Sequence, residues 1–170
     1  VGELIEISAD AFVDGHDLLA VEVAYRHESA RRWTRVPMVE SVNDRWHATV
    51  TLTEPGRHRF QVHARVDHFA TWLHDLRARV AAGQDVAVEL RVGLSLAEPA
   101  LAKAKGSARK TLAAFVEQLE AGTPPDLDQV DERELTALVG ALNPTAPATS
   151  SPAYPIRVER ERARFSSWYE

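Results

Sequence analysis

Seven histidines raise the question of a metal site first. Imidazole is a common metal ligand, and a strong ligand motif sets two rings at i, i+2 on a strand or i, i+4 on a helix. No histidine pair in this chain has either spacing. His63 and His68 flank an expected strand end, and His74 is expected to point inward beside Trp72. Ordinary polar or partly buried histidines account for the set. Glycosidase chemistry would instead need two carboxylates held on opposite sides of a sugar. Asp67 and Asp75, at the two ends of Asp67-His68-Phe69-Ala70-Thr71-Trp72-Leu73-His74-Asp75, are the most tempting pair. Read as strand residues they stand a strand length apart, and nothing marks a cleft between them. Cysteine is absent, which removes disulfides, thiolate metal sites and cysteine nucleophiles together. The eight glycines form no Walker or dinucleotide pattern, and no Gly-x-Ser-x-Gly element occurs. The expectation is therefore a chain with no catalytic residue, no metal site and no cofactor.

An aromatic face can also stack on a pyranose ring. Trp33, Trp46 and Trp72 all fall on expected strands. Trp46 and Trp72 lie on the apolar faces of those strands, so core packing is the stronger reading for both. Trp33 follows Ser29-Ala30-Arg31-Arg32 at a strand start and is the exposed candidate for a glucan or interface contact, with the interface favoured.

Composition narrows the partners. Formal charge is −5, from 20 Lys and Arg against 25 Asp and Glu, with the arginines spread among acidic residues. That is a solvated mixed-charge surface, and nucleic acid or an anionic membrane is not expected as a partner. No apolar run approaches the ~20 residues of a membrane span, and no basic-then-apolar leader opens the chain. The chain reads as soluble and cytoplasmic.

The elements that would carry these residues change character along the chain. Over 45–53, Trp46, Ala48, Val50 and Leu52 alternate with polar residues, as in a half-buried antiparallel strand. Glu54-Pro55-Gly56 breaks the run, and 57–66 alternates again through Phe60, Val62, Ala64 and Val66, which makes a hairpin. Further strands are expected over 3–9, 19–26, 33–39 and 71–80, with turns at Asp14-Gly15-His16-Asp17 and Val42-Asn43-Asp44. Short strands at this spacing predict an all-β, Ig-like antiparallel sandwich over 1–82. Val1 opens the chain abruptly, and an edge strand is expected before it.

After Gly83 the period becomes helical, and a small α-helical bundle is expected over 83–144. Asp85 can cap a first helix with the stripe Val86, Leu90, Leu94, Ala97 and Leu101, though Val86, Val88 and Leu90 also alternate as an extension of the last strand, and Pro99 should kink or end it. A second starts near Ser107, sets Leu112, Phe115, Val116 and Leu119 on one face and stops at Gly122. A third starts at Asp131, with Glu134 completing a capping box, and ends at Asn143-Pro144. Residues 145–170 read as a linker rich in Pro, Ala, Ser and Thr, then a lead-in to a further domain. Trp168 and Tyr169, adjacent at the terminus, are expected to pack against that domain or a partner.

Several runs carry a resemblance. Val13-Asp14-Gly15-His16-Asp17, Pro37-Met38, Asp44-Arg45-Trp46, Val66-Asp67-His68-Phe69-Ala70-Thr71-Trp72 and Ala82-Gly83-Gln84-Asp85-Val86 are similar, in order and spacing, to the N-terminal region of the alpha-1,4-glucan:maltose-1-phosphate maltosyltransferases. That family belongs to the alpha-amylase-like glycoside hydrolase superfamily. The run from Val158 to Glu170 resembles the segment that leads into the family's catalytic barrel. The resemblance implies an Ig-like sandwich with an attached helical bundle, both helping to build a homodimer. It implies retaining transfer of maltosyl units from maltose 1-phosphate onto alpha-glucan, with the nucleophile and acid/base in the barrel. No catalytic residue carries over to this chain.

Two functions are thus expected of different classes. One is a non-catalytic accessory and dimerisation domain, with its own barrel and a second subunit as partners. The other is a starch- or glycogen-binding module using Trp33.

Overall fold

The structure is a computed structural model in which residue 2 and residues 4–126, 131–143 and 146–159 are described. Six strands come first, four helices follow, and two short strands close the described chain. The chain divides into two compact units.

The first unit holds residues 4–13, 19–65 and 148–159 and is built from two sheets. One contains β1 (Leu4–Asp10), β4 (Val39–Glu40) and β5 (Arg45–Thr51) in the order β1-β5-β4. The other contains β2 (Leu19–His27), β3 (Thr34–Pro37), β6 (Gly56–Val66), β7 (Thr149–Ser150) and β8 (Tyr154–Val158). Its order is β3-β2-β6-β7, with β8 also on β6. The strand expected over 33–39 divides between the sheets. β3 pairs with β2, β4 pairs with β5, and buried Met38 makes the crossing with its N–H bonded to Val21 O at 2.8 Å.

Alternation sets the register. β5 turns Trp46, Ala48 and Val50 inward, and its pairing with β1 sets Ile7 opposite Ala48. Inward side chains from both sheets form one apolar cluster, including Ile7, Val21, Val23, Trp46 and Val50, with Phe60, Val62 and Ile156 packed on it. The tight turn before β5 uses Asn43 and Asp44, both at φ 57°, a left-handed conformation these two residue types tolerate.

Within the expected linker and lead-in over 145–170, β7 and β8 correct the reading of 149–158, and 160–170 lie outside the described residues. Ser150 pairs with His63, and Tyr154 to Val158 pair with Phe60 back to Gly56. Linker composition hid them because their partner strand lies far away in sequence.

The second unit holds, among the described residues, 14–18, 66–126, 131–143 and 146–147, so the expected boundary at 82/83 does not hold. The cause is one element. The strand expected over 71–80 is helix α1 (His68–Ala81). Phe69, Trp72, Leu73 and Leu76 recur at i, i+3, i+4 and i+7 and are its buried residues. Helices α2 (Ala87–Lys103), α3 (Gly106–Glu120) and α4 (Glu132–Leu142) complete the unit. All four helices share one core, in which Phe69, Trp72 and Phe115 form an aromatic group with centroid separations of 5.4, 5.9 and 6.2 Å.

Three details refine the expectation. Asp85 Oδ1 accepts from Ala87 N at 3.0 Å, but Val86 occupies the cap position of α2. Pro99 lies inside α2, which runs on to Lys103. Lys105, not Ser107, precedes α3. Asp131 does cap α4, accepting from Glu134 N at 3.0 Å, and Leu135 and Val139 are buried as the stripe requires.

Candidate functional site

Trp33 sits just before β3, in the connection from β2, and is half-buried. The guanidinium of Arg26, at the end of β2, lies over its ring at 4.8 Å from the centroid. Arg26 Nη1 donates to Ala30 O at 2.7 Å, which fixes the arginine against the loop that carries the tryptophan. One face of the indole therefore holds a cation, a contact worth about 0.5–1 kcal/mol at an exposed site. Any sugar would have to take the other face. Arg26 was not legible as part of this site. On β2 it reads as an outward polar residue, and only the path of the loop brings Trp33 back over it.

Beside this loop, two histidines meet edge-on at 4.9 Å between His27 and His58. His58 is 4% exposed, and its Nε2 donates to Glu54 O at 2.8 Å. Its Nδ1 has no hydrogen-bond partner among the described residues. His27 Nδ1 lies 2.6 Å from Ser29 Oγ, and a Cβ on Gly56 would stand 2.7 Å from His27 Nε2. This is a packed histidine pair around a glycine turn. Among the described residues no group of three or more His, Cys, Asp or Glu side chains is placed to hold a metal ion.

One of the two tempting carboxylates takes a structural position. Asp67 is buried and caps α1, accepting from Ala70 N at 3.0 Å. Asp75 is exposed on the same helix. Thr71 Oγ1 donates to Asp67 O and accepts from Leu18 N, both at 2.9 Å, which ties 14–18 to the start of α1. His74, expected to point inward, is exposed, because the segment is helical and its inward face is set by Phe69, Trp72, Leu73 and Leu76. Trp46 and Trp72 are core residues, as expected. Trp72 Nε1 also donates to Glu89 O at 2.8 Å, across Gly93 of α2, where a Cβ would stand 2.2 Å from the indole. Trp168 and Tyr169 lie outside the described residues.

Fold and site together define a two-part protein region, an antiparallel β unit with a helical unit inserted. In its middle, Asp67, Thr71 and Trp72 hold the fold. The chain belongs to the family described as alpha-1,4-glucan:maltose-1-phosphate maltosyltransferase, domain N/S, whose model matches residues 1–160. It is 37% identical over 175 residues to the alpha-1,4-glucan:maltose-1-phosphate maltosyltransferase of Salinibacter ruber, covering 100% of this chain and 26% of the relative. The enzyme of the same name from Chlorobaculum tepidum is 33% identical over 174 residues, covering 99% of this chain and 26% of that protein. That from Burkholderia pseudomallei is 36% identical over 176 residues, with 100% and 15% covered. The chain thus spans about a quarter or less of the relatives it matches. No helix among the described residues is long and apolar enough to cross a membrane.

Proposed function

We propose that this chain is the non-catalytic N-terminal accessory region of a cytoplasmic, retaining maltosyltransferase that extends alpha-1,4-glucan from maltose 1-phosphate. In this reading the β unit is an Ig-like sandwich and the helical unit a bundle. Together they support the catalytic barrel and contribute to a homodimer. One observation carries the reading: the family match covers nearly the whole chain, yet only about a quarter of each full-length relative is accounted for. The use of Asp67 as a helix cap supports it, since one member of the tempting carboxylate pair is committed to structure. The purified chain is expected to release no phosphate from maltose 1-phosphate in the presence of maltooligosaccharide. Turnover by the chain would overturn the reading.

A second reading, a glucan-binding module, rests on Trp33. Its ring is half-buried with Arg26 on one side, so a sugar could stack on the remaining face. Titration with maltooligosaccharides, followed by Trp fluorescence or calorimetry, separates the two. Saturable binding weakened by Trp33→Ala favours the module. No binding up to millimolar sugar favours the accessory role.

A further inference from the structure

The outward face of β6 and β8 carries a charge pattern that pairing alone does not require. Arg57 stands directly opposite Arg157 in the antiparallel ladder. Such partners project from the same face with Cβ atoms about 4.5–5.5 Å apart, and like charges so placed destabilise the pair. Both arginines are exposed, while their neighbours His58, Ile156 and Val158 turn inward. Arg59, two residues along on the same face, stands opposite Pro155, which offers no balancing charge. Arg59 reaches Glu28 at 3.5 Å, and Arg157 holds Glu159 through Nε at 2.7 Å. Among the described residues Arg57 has no ion-pair partner. Among the described residues three arginines, Arg57, Arg59 and Arg157, are thus set against two carboxylates, Glu28 and Glu159, in a chain whose net charge is −5.

We propose that Arg57 and Arg157 hold a phosphate dianion between them. A carboxylate is satisfied by one guanidinium fork, whereas a phosphate has enough acceptor oxygens and charge to engage two forks at once. Arg157 meets Glu159 through Nε at 2.7 Å, and its two Nη groups carry four further N–H donors. The anion would remove the repulsion built into the ladder. This site is separate from Trp33 and does not depend on the function proposed above.

Thermal melting of the whole chain tests it, comparing phosphate with chloride at matched ionic strength and pH. Inorganic phosphate is expected to raise the midpoint by an increment that grows with the logarithm of its concentration. Arg57→Gln and Arg157→Gln should lose that increment, and Arg35→Gln, on β3, should keep it. A sugar phosphate at equal concentration separates the sources: an equal or larger rise assigns the site to a phosphate ester, and none assigns it to free phosphate. Arg57→Glu supplies the reverse check, since an acidic residue opposite Arg157 should raise the midpoint in chloride while abolishing the phosphate response. No phosphate-specific rise in the native chain, a full rise in Arg57→Gln, or a lower chloride midpoint for Arg57→Glu would each overturn the proposal. A rise produced only by an acidic peptide would assign the face to a protein partner instead.

Discussion

Gly93 shows how much one hydrogen atom in place of a methyl can matter. A mid-helix glycine costs about 1 kcal/mol relative to alanine, so its presence in α2 asks for a reason. The reason is Trp72, whose indole crosses α2 where a Cβ would overlap it and bonds to Glu89 O at 2.8 Å. Gly93→Ala is expected to destabilise the chain by about 1–3 kcal/mol, because the overlap is with a ring packed on Phe69 and Phe115. Urea unfolding at unchanged m-value reads this directly, and equal or greater stability would refute the close approach. Trp72→Phe keeps much of the apolar contact but loses the bond to Glu89 O, at about 0.5–1.5 kcal/mol. At this scale the sequence marked Trp46 and Trp72 as core, because their positions repeat with apolar neighbours. It could not mark Arg26 against Trp33, since no periodicity encodes where a loop returns.

The helices are positioned by their first residues. Asp67 and Asp131 accept from the backbone N–H three residues on, at 3.0 Å each. Replacing either with alanine is expected to cost about 0.5–2 kcal/mol, and asparagine should recover most of it. Denaturation midpoints for the four single variants check this, and an unaffected Asp67→Ala would mean that α1 is held by packing alone. The contrast between the two caps is instructive. The Asp131 cap was legible, because Glu134 and the stripe through Leu135 and Val139 agree on a helix. The Asp67 cap was missed, because Trp72, His74, Leu76 and Val80 also fit period two. The conflict resolves once Phe69 and Leu73 are counted: they share the helical face and have no place on the apolar face of a strand. Strands β5 and β6 were legible because a turn separates two clean alternations.

In the whole molecule the helical unit is an insertion. The chain leaves the β unit after β6 and returns at β7, and Ala64 and Thr149 are direct ladder partners. The two connection points are therefore about 5 Å apart, the spacing of paired strands. Replacing residues 66–147 with a short Asn-Gly-type turn should convert β6 and β7 into a hairpin and leave the β unit folded. A strand-type circular dichroism spectrum with blue-shifted Trp46 emission is the expected result. A disordered product would show that the sheets need more than their own ladder. No pass along the sequence could locate this boundary, because the pieces of the β unit are separated by more than eighty residues and only pairing joins them.

That interrupted connectivity also sets an order of events on the ribosome. β8 pairs with a strand about a hundred residues earlier, so at roughly 5–20 residues per second β6 waits ~5–20 s for it. In that interval all four helices emerge and can bury their shared core, while one edge of β6 stays open. A nascent chain stalled inside the helical unit would present that edge to its neighbours, where unpaired strands recruit one another. The short closing strands act as a lock that turns only once residues 149–158 have been made.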